Sequence, residues 1–330
     1  ASLAALDCAA RYVRDAYGLG LSAIPASYVS PSCPGAPAPV VITVTPASAP
    51  AGNVVTVGGA NFGATPAENV VHFGGVRGTV TAASATELSV IVPSGAGHAP
   101  MSITTGGLTA YSHDPFVLTF PNAGIFDAGS FAAPLGRTIP SLPTHLTSAD
   151  FSLDGKPEIA AVTAGDTSGA AIVWNTGSGG ALGFAFLGTY AVPGPSSATS
   201  GDLDGDGRLD LALDNYGSNN NRVSLFRNAS TGGPPSFATN VDVITGDAPH
   251  GIGIRDLDGD GKPDLAVVAQ NNQAVSLVRN LSVVDTLRFS SHTNIATGGS
   301  RPAAIAVGDL DADGRPDLAV PDENTGMVRL

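Results

Sequence analysis

Gly201-Asp-Leu-Asp-Gly-Asp-Gly-Arg-Leu-Asp210-Leu-Ala-Leu213 recurs as Arg255-Asp-Leu-Asp-Gly-Asp-Gly-Lys-Pro-Asp264-Leu-Ala-Val267 and as Gly308-Asp-Leu-Asp-Ala-Asp-Gly-Arg-Pro-Asp317-Leu-Ala-Val320. A degenerate copy precedes them, Ala149-Asp-Phe-Ser-Leu-Asp-Gly-Lys-Pro-Glu158-Ile-Ala-Ala161. The leading acids Asp150, Asp202, Asp256 and Asp309 are 52, 54 and 53 residues apart. A constant period of this size, with several short β-rich runs per unit, predicts an array of four-stranded blades. After each loop comes a second strand signal, around Trp174, Phe226, Val278 and Val328. A Phe-bearing strand is expected before each loop, near Phe131, Phe186, Phe237 and Phe289. In that frame the array opens on an outer strand near Phe126–Leu135 and closes on Val328-Arg329-Leu330.

The chemistry of the loops lies in their spacing. Side-chain oxygens fall at positions 1, 3, 5 and 9: Asp202, Asp204, Asp206 and Asp210; Asp256, Asp258, Asp260 and Asp264; Asp309, Asp311, Asp313 and Asp317. Gly207, Gly261 and Gly314 at position 6 allow a sharp turn that brings the position-7 carbonyl (Arg208, Lys262, Arg315) toward the same point. Four carboxylates packed this closely repel unless a hard divalent cation with oxygen ligands lies among them, and Ca²⁺ is the expected ion. The first loop offers Asp150, Ser152, Asp154 and Glu158, with Lys156 at position 7; Ser152 removes one charge, so this fourth site is expected to bind more weakly. The loops are not EF-hands, which need a bidentate Glu at position 12 and flanking helices. Position 12 is Ala161, Leu213, Val267 or Val320, and the chain continues as a strand.

Loops of this kind between β-strands resemble the FG-GAP/VCBS repeats of integrin-type β-propellers, over roughly residues 121–330. That family usually closes with seven blades, whereas four units are found here. Completion of the last blade by an N-terminal outer strand, excerpt from a longer propeller, and closure by another subunit all remain open.

Residues 39–120 have a different texture. Val40–Val44, Val54–Val57, Val70–Phe73, Leu88–Val92 and Met101–Thr104 are short β-rich runs at roughly ten-residue spacing, as in a β-sandwich. Pro46-x-x-Ala49-Pro50-Ala51-Gly52, Val55-Thr56-Val57-Gly58-Gly59-x-Asn61-Phe62-Gly63, Val70-x-x-Phe73-Gly74-Gly75 and Val92-Pro93 resemble an IPT/TIG domain, an immunoglobulin-like fold. Gly58, Gly59 and Gly63 are expected to serve tight turns with positive φ, and Phe62 to plug the end of the sandwich. The resemblance implies a spacer or protein-contact module. Residues 1–38 form a third unit: Leu3, Leu6, Ala10, Val13 and Tyr17 recur at helical spacing before a Pro-rich extended stretch. Cys8 and Cys33 are the two cysteines of the chain, and a disulfide closing their ~26-residue loop would contribute roughly 3 kcal/mol and imply an oxidising compartment. The expected fold is therefore all-β: an Ig-like sandwich, then propeller-type repeats, with a short helical and extended N-terminal segment.

The net charge of −13 excludes a basic, counterion-releasing nucleic-acid surface, and no apolar run is long enough for a transmembrane helix. Fifteen of the 28 acidic residues lie in the four loops, so the charge is mostly ligand charge, and four Ca²⁺ would reduce it to −5. His72, His98, His113, His145, His250 and His292 are scattered, and no nucleophile elbow or phosphate loop is present. A non-enzymatic, secreted or cell-surface adhesion or assembly protein is expected, its partner an extracellular protein. A glycan-binding module and a self-associating filament subunit are the alternatives. Asn228-Ala-Ser230 and Asn280-Leu-Ser282 fit the N-glycosylation pattern.

Overall fold

The structure, a computed structural model, describes residues 37–120, 133–165, 167–216, 221–311, 313 and 315–330. The expected N-terminal helix, the Cys8–Cys33 pair and most of the expected strand near Phe126–Leu135 lie outside these residues. The described residues hold strands and one 3₁₀ turn, and no helix among them is long and apolar enough to cross a membrane.

The Ig-like unit contains β1 (Val40–Thr45), β2 (Ser48–Ala49), β3 (Val54–Ala60), β4 (Asn69–Phe73), β5 (Val76–Arg77), β6 (Thr79–Ala83), β7 (Glu87–Ile91), β8 (Ala99–Thr105) and β9 (Leu108–Leu118). They form two sheets, β1-β3-β7-β6 and β2-β9-β8-β4-β5. Strand alternation sends Val55, Val57, Val71, Phe73, Leu88, Val90, Met101 and Ile103 inward, where they pack with Phe62 and Phe116. The Phe73 and Phe116 rings meet edge to face at 4.9 Å. Phe62 seals this core as expected, but the nearby glycines act differently from the expectation. Gly58, Gly59 and Gly63 do not adopt positive φ; Asn61 does. They are needed for close approach, since a Cβ on Gly59 would lie 1.9 Å from the carbonyl oxygen of Val40 on β1.

Four sheets follow in chain order. They are β10 (Leu142–Ala149), β11 (Glu158–Ala164), β12 (Gly169–Asn175) and β13 (Phe184–Ala191); β14 (Ala198–Gly201), β15 (Asp210–Asp214), β16 (Arg222–Phe226) and β17 (Val241–Ile244); β18 (Pro249–Arg255), β19 (Asp264–Ala269), β20 (Ala274–Val278) and β21 (Thr293–Ala296); and β22 (Ala306–Gly308), β23 (Asp317–Asp322) and β24 (Met327–Arg329). Each is an antiparallel meander whose first hairpin carries an acidic loop. This shifts the blade frame. The Phe-bearing segments complete the sheet they follow instead of opening the next one: Phe186 lies on β13, paired with β12, while Phe237 and Phe289 bridge back to Asn228 and Asn280.

The first strands β10, β14, β18 and β22 are neighbours in sequence order, as blades around a propeller axis would be. Their approach is close: a Cβ on Gly253 would lie 2.3 Å from Val307 Cγ2. The second strands are sandwiched between sheets, and their period-2 alternation divides the side chains between neighbours. Leu211 and Leu213 pack into the core shared with the first sheet, Ala212 into the core shared with the third. Leu265 and Val267 face the second sheet, Ala266 and Val268 the fourth. The recurring Leu-Ala-Leu/Val triplet is thus a two-sided packing code.

The Ig-like unit does not stand off from the repeats as a spacer would. It packs on the loop end of the sheets, where Gly75 O accepts from Asp150 N–H at 2.7 Å and Thr109 N–H donates to Gly261 O at 2.6 Å.

Candidate cation-binding loops

Each loop is shaped by its own carboxylates. The position-1 acid accepts from two backbone N–H groups inside the turn: Gly205 and Gly207 donate to Asp202, Gly259 and Gly261 to Asp256, and Asp154 and Gly155 to Asp150. Position 3 accepts from the N–H of position 5, as Asp204 does from Asp206 and Asp258 from Asp260. Position 5 accepts from position 7: Arg208 to Asp206, Lys262 to Asp260, Arg315 to Asp313 and Lys156 to Asp154. Position 9 reaches back to the N–H of position 2, from Leu203 to Asp210, Leu257 to Asp264 and Leu310 to Asp317. The turn needs positive φ at positions 4 and 6, which Gly205, Gly207, Gly259 and Gly261 supply; the first loop has Leu153 at φ 67° instead.

These bonds leave carboxylate oxygens converging on one point. In the second loop single oxygens of Asp202, Asp204 and Asp206 lie within 4.8 Å of one another, in the third those of Asp256, Asp258 and Asp260, and in the fourth those of Asp309, Asp311 and Asp317. Asp204 is 3% exposed, and its Oδ2 has no hydrogen-bond partner. Burial, reinforced by the charges of Asp206 and Asp204, pushes Asp202 up to about 7. Burial and Asp206 push Asp204 up to about 6, and burial holds Asp210 well above the usual carboxylate range. In the third loop burial raises Asp256 to about 6 and Asp264 to about 7. In the second loop, buried and mutually repelling carboxylates with an unpartnered oxygen fit a cation among Asp202, Asp204 and Asp206. Asp210 and Asp264 lie outside the converging trios, both oxygens of each accepting from backbone N–H groups, and Asp313 lies outside the trio of the more exposed fourth loop.

The first loop differs. Its acids do not converge as a three-carboxylate group. Ser152 N–H donates to Glu158 Oε2 at 2.8 Å and Ser152 Oγ to Oε1 at 3.2 Å, so the position-3 oxygen is turned onto the longer glutamate. Burial raises Glu158 to about 7.

Two partners of the loops were not read from the sequence as such. One is the arginine at the end of the third strand. Arg279 Nε lies 2.6 Å from Asp258 Oδ2 and its Nη2 3.1 Å from Asp260 Oδ2, while Arg227 pairs with Asp285 at 2.7 Å beside Asp206. Side chains at position 7 supply further charge: Arg208 pairs with Asp206 and Asp285, and Lys156 Nζ lies 2.9 Å from Asp154. Lys262 Nζ instead donates to Ser282 O at 2.7 Å.

The other partner is the asparagine that follows the arginine. Asn280 is fully buried; its Nδ2 donates to Pro263 O of its own loop at 2.7 Å and to Leu203 O of the preceding loop at 2.8 Å, while its N–H donates to Asp264. Asn228 repeats this, with Nδ2 on Leu209 O and on Phe151 O of the loop before. The two glycosylation-like triplets are therefore inter-blade staples whose amides are already committed. Their recurrence as Arg-Asn at equivalent places in two repeats was the signal.

Family models match both halves of the chain. The FG-GAP-like repeat matches residues 150–213, 202–267 and 256–320, together more than half of the sequence, and the IPT/TIG domain matches residues 39–120. No curated protein matches the chain. Similar solved structures include an auxiliary nutrient binding protein from Bacteroides ovatus ATCC 8483, 14% identical, covering 88% of this chain and 83% of that one with TM-score 0.37. Another, from Bacteroides thetaiotaomicron VPI-5482, is 12% identical over 88% of this chain and 82% of that one, TM-score 0.29. A structural genomics protein of unknown function from the same organism is 12% identical over 92% and 70%, TM-score 0.31. With three matched repeats, each carrying the acidic hairpin loop, and an IPT/TIG domain before them, the chain belongs to the FG-GAP-like repeat family.

Proposed function

We propose that this protein is an extracellular, calcium-stabilised binding platform that performs no catalysis of its own. The observation that carries the reading is the second loop, where oxygens of Asp202, Asp204 and Asp206 converge and Oδ2 of Asp204 is buried and unpartnered. Ca²⁺ there supplies the positive charge and oxygen affinity that the carboxylates lack among themselves. Asp202, Asp204, Asp206 and Asp210 hold one ion, Asp256, Asp258, Asp260 and Asp264 a second, and Asp309, Asp311, Asp313 and Asp317 a third. The Ser152 loop is the weakest site. Carboxylates committed to a cation are poor general acids, which supports the non-enzymatic reading.

The test is calorimetric titration with Ca²⁺ together with thermal unfolding in chelator and in millimolar Ca²⁺. A site at a hundredfold excess over its Kd adds about 2.7 kcal/mol, and at ~2–4 °C per kcal/mol each filled site raises Tm by roughly 5–10 °C. Coincident melting curves and a flat titration overturn the assignment. A Cys8–Cys33 bridge would support the extracellular placement, and the intact mass with and without reduction tests for it.

A glycan partner has its own supporting observation. An open cleft of about 450 Å³ is lined by Asn221, Thr245, Asp247, Asn272, His292 and Asn294, amides and acids suited to sugar hydroxyls. Binding on a glycan array that is lost in Asn272→Ala supports this reading, and absence of binding removes it.

A further inference from the structure

The β8–β9 hairpin of the Ig-like domain reaches into the acidic loops. Thr104 Oγ1 donates to Asp202 Oδ2 at 3.1 Å. A hydroxyl carries one proton, so the 2.8 Å contact between the Thr104 and Thr109 hydroxyls has Thr109 as its donor. Two buried hydroxyls thus form a relay that ends on the first carboxylate of the second loop. The Thr109 N–H donates to Gly261 O in the third loop at 2.6 Å. The backbones interlock as well: a Cβ on Gly205 would lie 2.4 Å from Gly107 O, and one on Gly261 3.1 Å from Leu108 Cβ. The other loops have partners in the same domain. Asp150 N–H donates to Gly75 O, and His113 Nε2 lies 3.7 Å from Asp309 Oδ2. The Arg255 guanidinium, one residue before Asp256, stacks 4.1 Å over the Tyr111 ring.

We propose that cation binding by the second and third loops and docking of the β8–β9 hairpin onto them form one coupled equilibrium, with Thr104 and Thr109 as positioning residues for the ion site. The inference rests on the calcium reading above and deepens it. Docking reaches the first acid of the second loop: Thr104 bonds Asp202, which is 5% exposed. Arg208 and Arg279 offset part of the charge at Asp206, Asp258 and Asp260, but burying Asp202 beside these acids remains unfavourable, and a divalent ion among them reduces that penalty. The atoms the hairpin grips are also the atoms the carboxylates set. Gly261 donates its N–H to Asp256 Oδ2 and offers its carbonyl to Thr109, so displacement of Asp256 moves the hairpin's acceptor. Coupling of this kind is reciprocal: whatever fraction of docking the ion supports, the docked hairpin returns as ion affinity.

The experiment is amide hydrogen exchange on the full chain in chelator and in Ca²⁺, paired with calorimetric Ca²⁺ titration. Peptides covering residues 106–110 should exchange at least about tenfold faster in chelator, while the β3 and β7 amides of the Ig-like core keep their protection. Asp258→Asn, which does not touch the hairpin, should speed exchange of the same peptides in Ca²⁺. Thr104→Val should weaken one Ca²⁺ site about tenfold, the loss expected for one hydrogen bond to a carboxylate, and Thr104→Ser should restore it. If no Ca²⁺ binds, the calcium reading falls and takes this inference with it. If Ca²⁺ binds and raises Tm, but hairpin exchange is the same with and without it and Thr104→Val titrates like wild type, the calcium reading stands and the coupling is overturned.

Discussion

Asn280→Ala would strip three hydrogen bonds from a fully buried position. Nδ2 gives up Pro263 O at 2.7 Å and Leu203 O at 2.8 Å, and Oδ1 gives up Ser282 N–H at 2.8 Å. Leu203 and Ser282 are themselves 1% and 2% exposed, so water cannot replace the lost partner without a rearrangement. At about 1–3 kcal/mol for each buried polar group left unpaired, and with partial relaxation, the loss comes to about 4 kcal/mol. For a unit of this size that lowers Tm by roughly 10 °C. Asn175→Ala serves as the internal comparison. Asn175 Nδ2 bonds Pro157 O of its own loop at 3.1 Å and Oδ1 accepts from Gly177, with no described bond to an earlier loop, so its loss should be about half as large. Thermal unfolding in saturating Ca²⁺ measures both. Secretion from a eukaryotic host adds a second readout: because the amide is consumed inside the fold, the folded fraction should carry no glycan at Asn280. A variant within 1 kcal/mol of wild type, or a folded species glycosylated there, would refute the staple.

Three further outcomes are expected. In chelator, stability should fall as pH rises from about 4 to about 7. Asp202, Asp204, Asp256, Asp264 and Glu158 are raised by burial, so the folded state binds more protons than the unfolded chain across that window, each group contributing up to ~1.4 kcal/mol per pH unit. His72, held down to about 3 by burial and the Arg77 charge, opposes this below pH 6.5 as one group against several; a stability that rises with pH in chelator would contradict the balance. Leu153→Gly should stabilise by about 0.5–1 kcal/mol, because relief of a left-handed leucine outweighs the added chain entropy, and a lower midpoint in denaturant would count against it. Gly205→Ala should destabilise by more than about 2 kcal/mol, through a clash with Gly107 O, and should leave an isolated rise in hairpin proteolysis as its signature; unchanged cleavage would mean the two glycines do not touch.

The repeats were legible because their chemistry is local. Positions 1, 3 and 5 lie within one turn, so spacing places those acids together in the second and third loops, whereas position 9 there turns back onto the loop's own N–H; the Leu-Ala-Leu/Val triplets announce the strand that follows. The blade frame was less legible, since a Phe-bearing run looks the same whether it opens a sheet or closes one; pairing of β12 with β13 decides it. β9, the longest strand of the Ig-like unit, was missed because Pro115 and alternating polar residues interrupt its pattern. Thr104 and Thr109 could not have been found: nothing in a β-hairpin's sequence records that its tip meets an aspartate 98 residues away. Gly58, Gly59 and Gly63 were noticed for the wrong reason, as a glycine required by a neighbour's carbonyl is indistinguishable in sequence from one required by positive φ.

The backward reach of Asn228 and Asn280 gives the array a grammatical direction. Apolar packing runs both ways between neighbouring units, but these two buried amides reach only toward the unit before. Appending a blade leaves the amides of Asn228 and Asn280 satisfied, whereas excising the first would leave the amide of Asn228 with half its partners. Duplication and loss of units are therefore not mirror-image events for this chain, and tolerance to deletion should be lopsided along it.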